Sequence, residues 1–236
     1  MQLHYYETKE QATREAATGL NKLLAENKDS AVLFLVSGGS ALGILDHIDV
    51  SNLNEKITIG VLNERFSLDK KINNFLQLQA SKFFAAAANA GCNFIGTEPR
   101  PGELIEDLTS RWQLSLKNWQ AENPDGKIFA TFGLGPDGHT AGILPYPENL
   151  EFFSKNFENQ HLITGYSATG KNPYPERVTT TLAFFKLIDE AIMFVCGEEK
   201  RAILERLIKG KEQVHQLPAL GIYETKNFHV FTDIKI

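Results

Sequence analysis

The chain has 236 residues, 42% of them hydrophobic and 22% charged, which is typical of a globular protein and not of a disordered chain. Its formal net charge of −5 argues weakly against nucleic acid or an anionic membrane as a partner, so a small anionic substrate needs a local cluster of cations. Only two cysteines are present, Cys92 and Cys196, and they lack metal-ligand spacing, so we expect no metal site, no disulfide and a cytoplasmic location.

In the first half of the chain, strand and helix patterns alternate. A short strand at residues 3–6 precedes Thr8, which is the predicted N-cap of a helix to about residue 27. The continuous apolar run 31–36 is typical of a strand buried on both faces of a parallel sheet. Further strands are predicted at 56–62 and 92–95, and further helices at 73–86 and 101–120.

The second half continues the same pattern. Strands are predicted at 127–132, 161–166, 191–197 and 227–232, a helix at 198–209, and an irregular lid in the polar segment 146–160. Strands that alternate with helices favour an α/β three-layer sandwich with a mostly parallel, Rossmann-like doubly wound sheet. We find no repeat, linker, secretory signal or apolar run of about 18 residues, so we expect one soluble domain over residues 1–236.

The most informative stretch is 132–145, with the sequence Phe-Gly-Leu-Gly-Pro-Asp-Gly-His-Thr-Ala-Gly-Ile-Leu-Pro. It begins at the end of the predicted strand 127–132, and ligands of open α/β sheets bind beyond the carboxyl ends of the strands. Glycines let this backbone turn tightly and approach a ligand closely. Because Pro145 follows soon after, at most a short helix is expected next. Asp137 and His139 are therefore our candidate catalytic residues.

This stretch also has two other interpretations. Gly133, Gly135 and Gly138 match the dinucleotide pattern G-x-G-x-x-G, but that fingerprint needs a full helix after the loop, which Pro145 shortens. A structural turn in which the histidine only caps a helix is the other alternative. An Asp-Gly-His sequence directly after a strand favours a functional role over both.

Two more candidate anion-binding groups follow predicted strands. Residues 37–40, Ser-Gly-Gly-Ser, come directly after strand 31–36 and can direct backbone N–H groups and two hydroxyls at one anion. Arg65 follows strand 56–62, and its planar guanidinium suits bidentate binding of phosphate. A plain turn and a surface Arg–Glu pair are the corresponding structural alternatives.

Five segments resemble the signatures of the 6-phosphogluconolactonases, a family that belongs with the glucosamine-6-phosphate isomerases/deaminases in one superfamily. The segments are Val36–Ser40, Asn63–Arg65, Gly133–Ala141, Arg177–Leu182 and Cys196–Lys200. The resemblance implies hydrolysis of 6-phospho-D-glucono-1,5-lactone to 6-phosphogluconate in the oxidative pentose phosphate pathway. It implies a small sugar phosphate lactone as the partner, without a metal or an organic cofactor, and it makes no prediction of the oligomeric state.

For this reaction we predict His139 as the general base, oriented by Asp137. Backbone N–H groups of residues 133–139 or 38–40 are expected to bind the oxyanion. A nucleophilic Ser37 or Ser40 is the alternative to water, although no G-x-S-x-G elbow supports it. The residues predicted to bind the substrate and its phosphate are Ser37, Gly38, Gly39, Ser40, Arg65, Gly135, Gly138, Arg177 and Lys200.

Two positions favour the lactonase branch over the deaminase branch. Asn63 stands where the superfamily usually has the Asp that deaminases use as a base, and an amide does not accept a proton at neutral pH. Leu144 stands where deaminases carry a Glu that orients the histidine. A deaminase and a non-catalytic sugar-phosphate sensor on the same fold are the remaining alternatives.

Overall fold

The computed structural model describes all 236 residues and contains ten strands in two sheets. The strands are β1 (Gln2–Tyr5), β2 (Val32–Val36), β3 (Ile57–Val61), β4 (Asn63–Arg65), β5 (Asn93–Phe94), β6 (Lys127–Gly133), β7 (Ile163–Ser167), β8 (Glu176–Thr180), β9 (Glu190–Val195) and β10 (Asn227–Thr232).

Seven helices accompany the strands. They are α1 (Lys9–Glu26), α2 (Asn74–Gln79), α3 (Lys82–Asn89), α4 (Ile105–Glu122), α5 (Leu150–Phe157), α6 (Leu182–Phe185) and α7 (Arg201–Lys209). Four 3₁₀ segments lie at Gly39–His47, Val50–Asn52, Glu198–Lys200 and Pro218–Glu224. No helix combines the length and the apolar character that crossing a membrane requires.

The larger sheet is parallel throughout and has the order β1-β10-β9-β6-β2-β3-β5. Every residue of β2 is buried, as expected for a strand that is covered by helices on both faces. From β2 the chain moves outward through β3 and β5, whereas from β6 it moves outward in the other direction through β9 and β10. The order therefore reverses between β2 and β6. Ligands of doubly wound sheets bind at such a switch point.

The smaller sheet is antiparallel, with the order β4-β8-β7. Only Leu62 separates β3 from β4, so the chain passes directly from one sheet into the other. The Leu62 N–H donates to the Val36 carbonyl, 2.9 Å away, and the Leu62 carbonyl accepts from the Thr180 hydroxyl at 3.0 Å. These two bonds fix the small sheet against the carboxyl ends of β2 and β3.

The structure confirms the predicted fold class and most of the strands, and it corrects four local predictions. Asn63–Arg65 is a strand of the small sheet and not a loop after β3. The helix predicted at 73–86 is divided into α2 and α3, because the Ser81 hydroxyl accepts from the Phe84 N–H and caps a new helix. Residues 41–45, whose apolar sequence after the first glycine loop predicts the start of a helix, lie in the 3₁₀ helix Gly39–His47. The segment 146–160 is not irregular, since it contains α5, whose Phe153 and Phe157 are fully buried.

A histidine pair links the edge strand β1 to β10. His4 Nε2 lies 3.1 Å from His229 Nδ1, and the His4 ring stacks on Phe231 with 4.7 Å between centroids. Burial lowers the pKa of His4, and the neighbouring His229 lowers it further. Burial also lowers the pKa of His229, with a smaller contribution from the N-terminal amine, although Glu190 lies 3.7 Å from its Nε2. The folded state therefore favours the neutral form of both rings.

We expect acid to weaken this edge of the sheet. A histidine whose pKa is lowered by folding binds more protons in the unfolded state, so its contribution to stability is lost as the pH falls through about 6.5. The decrease in Tm from about pH 7.5 to about pH 5.5 should be larger for the wild type than for His4→Gln. His47→Gln, which changes an exposed histidine outside the sheet, should behave like the wild type. Equal pH dependence in all three proteins would contradict this role of His4.

Candidate active site

A cleft of about 390 Å³ lies beyond the carboxyl ends of β2 and β6, against the small sheet. It therefore occupies the switch point of the larger sheet. No Asp or Glu lines it. Nine of the residues predicted from the sequence line this cleft, namely Ser37, Gly38, Gly39, Ser40, Arg65, Gly135, His139, Arg177 and Lys200. Asp137 and Gly138 were also predicted but are not among the lining residues.

Asp137 binds His139 directly from outside the cleft. His139 Nδ1 lies 2.5 Å from Asp137 Oδ1, and the same oxygen accepts the His139 backbone N–H at 3.1 Å. Burial alone would raise the pKa of Asp137, but the hydrogen bond and the charge of His139 lower it. Asp137 therefore holds the ring through Nδ1. The second ring nitrogen, Nε2, has no protein partner and is available for proton transfer.

The glycines of this loop give it its shape. The Gly135 N–H donates to the His139 carbonyl at 2.8 Å, and the Gly138 N–H donates to the Gly135 carbonyl at 3.0 Å. A Cβ on Gly135 would lie 2.1 Å from His139 Nδ1, so only glycine leaves room for the imidazole. Gly138 has a φ of 89°, which glycine adopts without strain. Because their N–H groups are occupied within the loop, neither glycine donates to a ligand through its backbone.

Two guanidinium groups face each other without a neutralising acid. Arg65 and Arg177 are paired across β4 and β8, and Arg177 is only 4% exposed. Arg65 Nη1 donates to the Ile72 carbonyl at 3.2 Å, but the Nε atoms of both arginines are buried without a partner. Burial lowers the pKa of Arg177, and the charge of Arg65 lowers it further. Like charges on facing strands are destabilising, and a bound anion relieves this repulsion.

Further donors come from the ends of β2 and β9. The Ser37 hydroxyl is buried without a partner, while its backbone N–H donates to the Thr131 hydroxyl at 3.0 Å. Lys200 follows β9 in a 3₁₀ segment, and burial lowers its pKa. Lys200 and the two arginines give the cleft a local excess of positive charge in a chain of net charge −5.

Glu64 organises the region behind Arg65. It has no solvent exposure and accepts four hydrogen bonds, from the backbone N–H groups of Arg65 (2.7 Å), Asn74 (2.6 Å) and Phe75 (2.9 Å) and from the Thr97 hydroxyl (2.8 Å). Burial raises its pKa to about 7 against the opposing effect of these donors. Glu64 thereby joins β4, the start of α2 and the segment after β5.

The sequence did not indicate several other residues of the cleft. Asn73 caps α2 by accepting the Leu76 N–H at 2.8 Å, so Asn74 is free to face the cleft, with Oδ1 buried and unpartnered. In the sequence, this pair of asparagines predicts only the start of a helix. Asn172 and Tyr174 come from the connection between β7 and β8, in which Pro173 and Pro175 indicate a rigid segment but not where it lies in the fold. Gly133, Leu134 and Pro136 belong to the 133–139 loop predicted to bind the oxyanion, and the other lining residues without a predicted role are Thr140, Ala141, Gly142 and Pro173.

The two positions that distinguish the superfamily branches have different surroundings. Asn63 lines the cleft, and its carbonyl accepts the Asn74 side-chain amide at 2.8 Å. Leu144 is 2% exposed and belongs to the hydrophobic core. The place where deaminases carry a carboxylate is therefore occupied by a core side chain.

Comparison with known proteins identifies relatives of this chain. A bovine 6-phosphogluconolactonase is 37% identical over 87 residues, which cover 37% of this chain and 31% of that protein. The chain thus spans about a third of the length of this relative. A Neisseria meningitidis 6-phosphogluconolactonase is 22% identical over 232 residues, 97% of each chain. The crystal structure of a Shewanella baltica 6-phosphogluconolactonase has a TM-score of 0.77 at 20% identity and covers 98% of this chain and 96% of its own, which establishes the shared fold.

A family profile extends the match to nearly the whole chain. The profile described as glucosamine-6-phosphate isomerases/6-phosphogluconolactonase matches residues 7–231, a range that contains every residue of the cleft. The chain belongs to the glucosamine-6-phosphate isomerase/6-phosphogluconolactonase family.

Proposed function

We propose that this chain acts as a single-domain enzyme that hydrolyses 6-phospho-D-glucono-1,5-lactone to 6-phosphogluconate. One observation carries the proposal: an Asp-oriented histidine and an uncompensated pair of arginines line the same cleft. The names of the bovine and Neisseria relatives support it. The buried, unpaired cysteines also support a reducing, cytoplasmic location.

In the proposed reaction, Arg65, Arg177, Lys200 and the 37–40 loop bind the 6-phosphate and fix the lactone in the cleft. His139 Nε2 takes a proton from water as the water oxygen attacks C1, and the carbonyl electron pair moves onto the carbonyl oxygen. The tetrahedral intermediate then expels the ring oxygen, which receives the proton from the imidazolium. The new carboxylic acid ionises to carboxylate, and its proton leaves to solvent. Asp137 stabilises the imidazolium and keeps Nε2 as the nitrogen that exchanges protons.

The residues present favour hydrolysis over aldose–ketose isomerisation with loss of ammonia. Isomerisation requires a base that moves a proton between two sugar carbons. Asn63 is an amide and supplies no such base, and Leu144 supplies no carboxylate to orient the histidine. Ester hydrolysis needs only one base, which His139 provides.

The direct test is to measure the rate of lactone hydrolysis above the spontaneous background. Proton release in weak buffer gives this rate. We expect rapid hydrolysis by the wild-type protein. Ammonia release from glucosamine-6-phosphate would favour the deaminase instead. Binding of 6-phosphogluconate without hydrolysis of the lactone would favour the sensor.

His139→Ala should lower kcat by roughly 10²–10⁴-fold and leave the affinity for 6-phosphogluconate nearly unchanged, since the ring transfers protons but does not hold the phosphate. The affinity is measured by calorimetry and the rate by proton release. His161→Ala, which changes an exposed histidine outside the cleft, is the matched control and should keep wild-type activity. Near-normal kcat in His139→Ala would remove this residue from the mechanism.

Arg65→Ala should raise KM by roughly 10–100-fold, because a hydrogen bond to a charged group contributes about 1.5–3 kcal/mol. Arg65→Lys keeps the charge but loses the planar fork, so it should lie between the wild type and Arg65→Ala. The same variants should change much less with glucono-1,5-lactone, which lacks the phosphate. Equal losses with both lactones would assign Arg65 to another task.

Asn63→Asp should leave lactonase activity within about tenfold, a change below roughly 1.4 kcal/mol in the barrier. It should not create deaminase activity, because Leu144 still lacks the second carboxylate. Both activities are measured on wild type and variant, with Tm compared to exclude unfolding. An inactive wild type together with strong lactonase activity in Asn63→Asp would mean that Asn63 marks a decayed site.

A further inference from the structure

The turn directly after His139 has a backbone conformation that needs an explanation. Ala141 has a φ of 47° and is the only non-glycine residue with a positive φ. Gly142 follows with a φ of 71°. A side chain with a Cβ rarely adopts this region, and such outliers persist only where surrounding contacts enforce them. Both residues line the cleft.

Two buried hydroxyls of the small sheet enforce this conformation. The Thr179 hydroxyl donates to the Ala141 carbonyl, and the Tyr166 hydroxyl donates to the Gly142 carbonyl at 2.5 Å. Thr179 is fully buried and Tyr166 is 5% exposed. Both carbonyls of the unusual turn therefore point at the small sheet.

The backbone N–H groups of the same two residues have no acceptor in the protein. Thr140 and Ile143 bind each other through both of their backbone groups, which leaves Ala141 and Gly142 between them without a donated bond. Ala141 is 4% exposed and Gly142 is also buried. Buried N–H groups are nearly always paired, so these two need a partner that enters from the cleft.

The direction of each N–H follows from peptide geometry. In a trans peptide, the C=O and the next N–H point in opposite directions. The Ala141 carbonyl points at Thr179, so the Gly142 N–H points away from the small sheet. The Thr140 carbonyl accepts from the buried Ile143 N–H at 2.8 Å, so the Ala141 N–H points away from the core.

We propose that the N–H groups of Ala141 and Gly142 bind the oxyanion of the tetrahedral intermediate, and that Thr179 and Tyr166 are positioning residues that hold them. This inference rests on the proposed lactonase function. When water oxygen bonds to C1, the carbonyl electron pair moves onto oxygen, and the two N–H groups receive that charge. They release it when the C1–ring oxygen bond breaks and the carboxyl group forms.

Ala141 and Gly142 lie outside the two loops that the sequence predicts as the oxyanion site. Of the 133–139 loop, the N–H groups of Gly135, Gly138 and His139 are already bound within the loop, and the Leu134 N–H, which has no acceptor, precedes the general base by five residues. The Gly38 N–H lacks an acceptor, but it lies in the loop that we assign to the phosphate. Ala141 and Gly142 follow the general base within three residues. This closeness suits donors that bind the oxygen of the carbonyl group that the activated water attacks.

A binding experiment tests the donors without requiring turnover. The product carboxylate places an oxygen where the oxyanion forms, so 6-phosphogluconate should shift the Gly142 amide proton downfield. Ala-Gly occurs only at Ala90–Gly91 and Ala141–Gly142, so carbon-13 at the alanine carbonyl and nitrogen-15 in glycine give two signals. The Gly91 N–H is bound to the Ala88 carbonyl at 3.1 Å outside the cleft and is the internal control. An unmoved Gly142 signal at saturating 6-phosphogluconate would overturn the inference.

A kinetic experiment tests the positioning residues. Thr179→Val should lower kcat by roughly 10–100-fold with little change in KM, because a misdirected donor costs less than the 10²–10³-fold of a deleted one. Thr179→Ser, which keeps the hydroxyl, should restore most of the rate, and Tyr166→Phe should behave like Thr179→Val. Thr180→Val is the matched control, because its equally buried hydroxyl binds the Leu62 carbonyl instead.

The possible outcomes are distinct. A purely structural role predicts that Thr179→Val and Thr180→Val lose Tm and kcat in parallel, and this result would overturn the inference. A fall in kcat confined to Thr179→Val and Tyr166→Phe supports it. A wild type without lactonase activity, combined with a shifted Gly142 signal, would reject the proposed reaction and retain the anion-binding N–H pair.

Discussion

The cleft is constrained by the buried side chain of Glu64, whose carboxyl oxygens need hydrogen-bond donors from the protein. Glu64 is fully enclosed, and its four donors come from β4, the first turn of α2 and Thr97. Removing a charged or polar group from water is costly unless hydrogen bonds replace the water, so these segments have little freedom to move apart. Arg65 and Asn74 are neighbours of Glu64 in this network. The network therefore fixes a cation and an amide at the wall of the cleft without using either side chain.

The cleft differs in charge from the chain as a whole. The chain is acidic overall, yet no carboxylate lines the cleft, and Asp137 binds His139 from outside it. Arg65 and Arg177 consequently remain without a neutralising partner. The backbone pairing of β4 and β8 holds the two arginines next to each other despite the repulsion between their charges. The phosphate of the proposed substrate would neutralise both groups.

The large sheet was predictable because parallel strands buried on both faces are continuous apolar runs, as in Val32–Val36. The small sheet was not, since β4 consists of the three polar residues Asn63–Arg65 and pairs with a strand more than a hundred residues later. The lining of the cleft was partly predictable because the loops at strand ends, such as 37–40 and 133–139, are rich in glycine and polar residues. Ala141 and Gly142 were beyond reach, because their conformation depends on hydroxyls from Thr179 and Tyr166 that only the tertiary fold brings near.

The switch point between β2 and β6 has a consequence for how this protein acquires its cleft during folding. The Ser37 N–H that ends β2 is bound by Thr131 of β6, 94 residues away, and the Leu62 carbonyl is bound by Thr180, 118 residues away. Contacts of such long sequence separation form slowly, because closure of a long loop precedes any compensating interaction. No short fragment contains both walls of the cleft, because its lining residues run from Ser37 to Lys200. A nascent chain therefore has no complete binding site until the residues up to Lys200 have been synthesised, and ligand binding reports the pairing of distant segments rather than the folding of any local unit.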